Sequence, residues 1–353
     1  MTKLGVLFSV LGVGAGCIPA FAQKQLPNII VMLSDDQGWG DLGFTGNTFV
    51  QTPNIDRIAH EGTILENFYV CPVSSPTRAE FLTGRYHVRS GVNSTTGGGE
   101  RFNLGEKTIA EYFREAGYAT SLFGKWHSGT QYPYHPNARG FEEFYGFCSG
   151  HWGNYWNPVL EHNGEIISGE GFIIDDLTDK ALDYIRDHKE HPFFMFLSYN
   201  TPHSPMQVPD SWWNRVKDRT LSQRATFPEQ EDTTFTKAAL ALAENLDWNI
   251  GRVLSLLHSL DLEQETIVIY FSDNGPNSFR WNGGMKGRKG STDEGGVRSP
   301  FCIRWPGHIR KGAVETQLSG AIDLIPTLLG LAGIEYTPLR KLDGIDWGQR
   351  LLD

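Results

Sequence analysis

A chain of 353 residues, 39% apolar and 20% charged, is long enough for one large globular domain or a large and a small one, and too evenly mixed to be fibrous or disordered. Its 41 acidic against 31 basic side chains leave a net charge of −10, which argues against nucleic acid or an anionic membrane surface as partner. A site for an anion would have to be built locally.

Taken in order, the chain opens on a targeting pattern. Lys3, the apolar run of residues 4–13 and the ending Ala20-Phe21-Ala22 ahead of Gln23 have the three regions of a secretory signal peptide, 1–22. The remainder, 23–353, is expected to be one exported domain, periplasmic or secreted. Anchoring as a lipoprotein at Cys17 is the poorer match. The apolar run is too short to span a bilayer, and no later stretch reads as a membrane span. Cys71, Cys148 and Cys302 then remain, at spacings that fit neither a metal cluster nor a disulfide framework; an exported chain has room for one bridge, but mostly buried free thiols are expected.

Residues 28–33, Asn-Ile-Ile-Val-Met-Leu, predict a strand buried on both faces, ending in Ser34-Asp35-Asp36. Thr52-Pro53-Asn54 starts a helix over 55–61 that Gly62 closes, and 64–70 predicts a second strand. Next comes Ser74-Ser75-Pro76-Thr77-Arg78. Pro76 is pre-set for a first helical turn and disfavours helical backbone at Ser75, so Ser74 is expected just ahead of a helix N-terminus, facing whatever anion binds there. A serine that only caps the helix fits the same five residues. A helix over 107–116 and a strand over 118–123 lead to Gly124-Lys125-Trp126-His127.

Residues 129–171, rich in glycine, asparagine and aromatics, have no clear period and read as long loops with one hairpin. A helix over 175–188 and a strand over 192–198 lead to Asn200-Thr201-Pro202-His203, and 212–228 is ambiguous. The clearest helix is 235–260, with Leu242, Leu246, Ile250, Val253, Leu257 and Leu260 on one stripe. A strand over 266–271 precedes Ser272-Asp273-Asn274-Gly275; a strand at 301–303 and a helix over 324–331 follow. Alternating strands and helices predict an α/β fold with a mostly parallel sheet covered on both faces, whose ligand site lies beyond the carboxyl ends of the strands. Four strands end there in polar groups: Asp35-Asp36, Lys125 with His127, His203, and Asp273-Asn274.

Asp35, Asp36, Asp273 and Asn274 are hard oxygen ligands suited to Ca²⁺ or Mg²⁺, although turn and capping chemistry explains each pair alone. Arg78, Lys125, His127, His203 and Lys289, gathered around one metal, would hold a tetrahedral oxyanion and protonate a leaving oxygen. Taken singly, each is more readily a surface charge or a hydrogen-bonded loop residue.

Ser74 to Arg78 with Leu82-Thr83-Gly84-Arg85 resembles the serine-type signature of the formylglycine-dependent sulfatases, of the alkaline phosphatase superfamily. The resemblance extends in order through residues 28–40, Gly124-Lys125-Trp126-His127, Asn200-Thr201-Pro202-His203, Glu244-Asn245-Leu246-Asp247, Ser272-Asp273-Asn274-Gly275, Lys289-Gly290, Glu294-Gly295-Gly296-Val297-Arg298 and Arg304-Trp305-Pro306-Gly307. It implies that a serine-oxidising maturase converts Ser74 to formylglycine, whose hydrate attacks sulfur with one hydroxyl and expels sulfate with the other. It further implies that Asp35, Asp36, Asp273, Asn274 and residue 74 hold Ca²⁺. Arg78 and Lys125 would support the hydrate, His127 would act as base when the sulfated intermediate breaks down, and Lys289 and His203 would contact the sulfate, His203 being the candidate acid. Cys71 is expected to be structural.

Family members usually continue into a smaller C-terminal subdomain, which this chain is expected to lack. The reading is an exported sulfatase acting on a sulfated glycan, with His151, Trp152, Tyr155, Trp156, Trp212, Trp213 and Trp281 as candidate sugar contacts. A related phosphatase or phosphonate hydrolase, or a truncated, inactive protein that binds sulfated glycans, is the alternative.

Overall fold

A computed structural model describes residues 1–2 and 26–352. The proposed signal segment and Cys17 lie outside the described residues, Met1 and Thr2 excepted. Strand β1 (Asn28–Ser34) is buried at every position. It is followed by α1 (Pro53–Glu61), β2 (Thr63–Leu65), β3 (Phe68–Tyr69), α2 (Ser74–Thr83), α3 (His87–Ser90), α4 (Ile109–Glu115) and β4 (Ala119–Lys125). The middle of the chain supplies β5 (Glu143–Phe147), the hairpin of β6 (Val159–His162) and β7 (Glu165–Ser168), α5 (Ile173–Asp187), β8 (Phe193–Ser198), α6 (Asp210–Val216) and α7 (Thr233–Ser259). Then come β9 (Thr266–Ser272), α8 (Glu294–Val297), β10 (Phe301–Arg304), β11 (Ala313–Glu315), β12 (Ser319–Gly320), α9 (Leu324–Ala332) and α10 (Gly348–Leu351).

Ten strands form one sheet in the order β11-β2-β10-β9-β1-β8-β4-β5-β6-β7. The centre, β9-β1-β8-β4-β5, is parallel, and only β10 and β6 run against the other strands. Alternation along β1 shows why both faces need cover. Ile29, Val31 and Leu33 join a core with Phe81, Leu82, Phe113 and Leu328, from α2, α4 and α9. Ile30 and Met32 point the other way, into a core with Ile58, Leu177, Leu246 and Ile250, from α1, α5 and α7. The expected mostly parallel sheet with helices on both faces is therefore present.

Three local expectations need correction. The strand foreseen over 64–70 is two short strands: β2 stays in the large sheet, while β3 leaves it to pair with β12 and carry the chain toward α2. Inside 129–171 lies β5, a parallel strand of the main sheet. Its Glu-Phe-Tyr-Gly-Phe sequence is too short and mixed to give a period. Ser74 is the first residue of α2 rather than the residue before it, Val73 being the extended cap. Pro76 then falls in the first turn, where its missing N–H is one the helix leaves unpaired anyway. Gly84 ends α2 with φ 64, a left-handed turn that glycine adopts without penalty, and donates to the Glu80 carbonyl at 2.8 Å.

Cys71, Cys148 and Cys302 are all buried free thiols, as expected. Burial pushes every one of them above the usual thiol range, Glu80 adding to the effect at Cys71 and Glu161 at Cys148. Iodoacetamide at mildly alkaline pH should leave Cys302 unmodified in native protein and label all three in guanidinium. Native-state labelling of Cys302 would contradict this packing. Among the described residues no helix is long and apolar enough to cross a membrane.

Candidate active site

The two central strands set the geometry. β1 and β9 are paired in register to Ser34 and Ser272, and the Asp273 N–H then donates to the Ser34 carbonyl at 3.1 Å. Asp35 and Asp36 therefore leave the sheet beside Asp273 and Asn274. Asp36 takes φ 63, a turn that aspartate tolerates, and its N–H donates to Asp273 Oδ1 at 3.2 Å. The neighbouring β8 and β4 bring His203 and Lys125 to the same end, and His127, two residues beyond β4, has φ 62.

Ser74 faces this end from α2. Its Oγ accepts from Arg78 Nε at 2.8 Å and lies 3.1 Å from His127 Nδ1. His127 Nε2 lies 2.9 Å from the Thr95 carbonyl, which can only accept, so Nε2 carries the proton. Burial, then the charge of Lys125, pushes the His127 pKa down to about 2. The ring is thus neutral, and its bare Nδ1 accepts the Ser74 hydroxyl proton. Arg78 is fully buried and forks onto Asp273 Oδ2 through Nη2 at 3.0 Å, while Nη1 donates to Ser198 Oγ at 2.5 Å and the Lys125 carbonyl at 3.1 Å.

Lys125 Nζ donates to Asp35 Oδ2 at 2.6 Å, and Lys289 Nζ lies 2.6 Å from Asp36 Oδ1. His203 Nε2 stands 3.5 Å from Asp36 Oδ2, its Nδ1 donating to the Ser204 carbonyl at 2.7 Å. Burial pushes the Asp35 carboxyl upward, but Lys125, His203, Arg78 and Lys289 together hold it below the usual carboxylate range. At Asp273 burial wins, reinforced by Asp35 and opposed by Arg78, and its pKa is raised. Burial lowers Lys125 against the pull of Asp35; at Lys289 the pull of Asp36 and Asp35 outweighs burial and raises it.

Three carboxylates, Asp35, Asp36 and Asp273, meet three fixed cations, Arg78, Lys125 and Lys289, so the side chains roughly balance. Even so, Asp35 Oδ1, Asp36 Oδ2 and Asn274 Oδ1 are buried without a hydrogen-bond partner. Orphaned buried oxygens are costly, and three of them beside Asp273 are the donor set of a hard divalent cation. Such an ion fits these residues and would turn a balanced site into one with a surplus of positive charge, complementary to an oxyanion.

All ten site residues foreseen in the sequence thus converge on one place. Sequence reasoning missed several supports. Arg280 holds Asp41 through Nε at 2.8 Å and Nη2 at 2.6 Å and donates from Nη2 to the Asp36 carbonyl at 3.0 Å, but a lone arginine outside any periodic stretch gives no signal. Thr95 acts through its carbonyl, which no side-chain motif reveals. The aromatic set divides: His151 and Trp156 are exposed, whereas Tyr155 is core and Trp212 packs beneath α7 with Leu240 and Ala243. Tyr155 and Trp212 are therefore packing residues and not sugar contacts.

The sulfatase family profile matches residues 27–334. The chain is 32% identical to the N-acetylgalactosamine-6-sulfatases of Sus scrofa and Homo sapiens, over 97% and 95% of its length and 68% and 66% of theirs. Among solved structures, Ps i-CgsB in complex with k-i-k-neocarrahexaose matches with a TM-score of 0.81 and 32% identity, over 92% of this chain and 76% of that one. A phosphonate monoester hydrolase of Agrobacterium radiobacter, at 19% identity and TM-score 0.70 over 92% of this chain and 77% of that one, shares the fold.

Proposed function

The chain belongs to the sulfatase family and is a sulfuric ester hydrolase, and from this premise we propose that it is exported and releases sulfate from a sulfated glycan, using formylglycine made from Ser74 and one Ca²⁺. The observation that carries the residue assignment is Ser74 Oγ held between Arg78 Nε and the bare Nδ1 of His127, beside the orphaned carboxylate oxygens. A glycan substrate is supported by the names of its relatives, an N-acetylgalactosamine-6-sulfatase and a structure in complex with k-i-k-neocarrahexaose.

Formylglycine would supply, as its hydrate, one hydroxyl to attack sulfur and a second to expel sulfate, and Ca²⁺ held by Asp35, Asp36, Asp273, Asn274 and residue 74 would supply positive charge to sulfate oxygens. Arg78, itself held by the Lys125 carbonyl, fixes residue 74, and Lys125 with its ammonium on Asp35 would support the hydrate from the neighbouring strand. His127, neutral and with Nδ1 free of its proton, takes the proton of a residue-74 hydroxyl. Lys289, a quarter exposed, reaches an incoming sulfate oxygen. His203 gives a proton to the departing alcohol.

Two measurements test this reading. Prolonged chelation should abolish sulfate release and added Ca²⁺ should restore it; full activity without the ion would contradict the metal assignment. Turnover of an aryl sulfate should exceed that of the matching aryl phosphate, and the reverse order would overturn the reaction class. A further expectation concerns Gly150, where a Cβ would stand 2.1 Å from His127 Nε2. Gly150→Ala should displace the imidazole and lower kcat by roughly 10- to 100-fold, with KM little changed. Steady-state kinetics on the purified variant check it.

A further inference from the structure

The loop of residues 149–156, Ser-Gly-His-Trp-Gly-Asn-Tyr-Trp, follows β5 and touches both histidines of the site. Gly150 lies against the His127 ring. One residue on, the His151 ring packs on His203, with centroids 5.2 Å apart and planes inclined at 55°. The buried Tyr155 hydroxyl donates to the His203 carbonyl at 2.7 Å, so the loop also fixes the backbone that carries His203. It is held at both ends of its tip: Tyr155 N–H donates to Gln207 Oε1 at 2.7 Å, and Gln207 Nε2 donates to the Gly153 carbonyl at 2.9 Å. Trp152 stacks on Phe147 at 5.1 Å.

Within this anchored loop His151 is exposed, and its ring nitrogens hydrogen-bond no other described residue. Tyr155, four residues on, is by contrast fully used. His151 packs on His203, the residue assigned to the departing alcohol, whose Nε2 lies 3.5 Å from Asp36 Oδ2, while the cations Lys125 and Lys289 are themselves paired to Asp35 and Asp36. Partial burial, then His203 and Lys125, keep the His151 pKa below its ordinary value, so it offers one donor and one acceptor rather than a charge.

We propose that His151 determines specificity by hydrogen-bonding a neutral hydroxyl of the sugar that bears the scissile sulfate. This rests on the sulfatase reading above. The imidazole can serve a ring hydroxyl as donor or acceptor, and its face covers part of the sugar. It has no role toward the sulfate itself.

The test is calorimetric binding, with Ca²⁺ present, to the full chain whose Ser74 is unmodified, using inorganic sulfate and a panel of hexose and hexosamine monosulfates as probes. His151→Ala should weaken the best-bound sugar sulfate about tenfold and inorganic sulfate by less than about twofold. His151→Asn, which keeps a donor and an acceptor, should recover most of the loss. In modified enzyme the same change should appear in KM, with kcat held within about threefold. Equal weakening of sulfate and sugar sulfate would assign His151 to propping His203 and overturn the proposal. So would an unchanged sugar affinity, or a wild type that binds no sugar sulfate more tightly than sulfate. If discrimination by His151 holds while modified protein releases no sulfate, the sulfatase reading falls and the sugar contact stands.

Discussion

Ser74→Ala is expected to lower kcat for sulfate release by about 10⁴-fold or more while leaving the fold intact. No other side chain can replace the missing atom, since Ser75 Oγ is turned away to the Ser94 carbonyl at 2.9 Å. The cost in stability should be small, about 1 kcal/mol. Arg78 keeps Asp273, Ser198 and the Lys125 carbonyl, and His127 keeps the Thr95 carbonyl. Initial rates of sulfate release, with urea denaturation as the control for folding, test both halves. A variant with more than a tenth of wild-type activity would remove Ser74 from the chemistry.

Arg78→Met has the opposite balance, a large loss of stability together with activity. Arg78 and Asp273 are both fully buried, and removing one partner of a buried ion pair costs about 3–5 kcal/mol because the other charge is left unpaired. The methionine fills the stem volume but leaves Asp273 Oδ2 and Ser198 Oγ without the donor that now meets them, while the Lys125 carbonyl keeps only Ser198 Oγ, at 2.7 Å. Arg78→Lys keeps the charge and not the fork, so it should recover only part of the loss. The urea midpoint reports the effect. An unchanged midpoint would mean that the pair contributes nothing and that helix α2 is held in place by its apolar face alone.

The site was legible in the sequence because its residues sit at the ends of buried parallel strands, where a Val/Ile/Phe-rich run stops abruptly at Asp, Lys, Asn or His. The runs before Asp35 and Asp273 locate the strands, and pairing in register brings the acids together. Strand β5 escaped because five residues containing Glu143 and Gly146 carry no usable period, and with it escaped the loop that presents Gly150 and His151. The position of Ser74 within α2 was missed by one residue, since proline at the third helical position is as tolerable as at the first when the N–H is not needed. Arg280 and the Thr95 carbonyl were out of reach for a different reason: their partners Asp41, Asp36 and His127 are fixed by loop geometry that no local pattern encodes.

The roles of these residues turn on whether the encoded serine is the nucleophile or its precursor. The direct measurement is the mass of the tryptic peptide spanning residues 58–78, from protein made in its natural host, with fragmentation to locate the change and sulfate release assayed on the same sample. A peptide two hydrogens lighter at residue 74, in a sample that releases sulfate, is the predicted result. Undiminished sulfate release from protein whose residue 74 is intact serine in every molecule would contradict it.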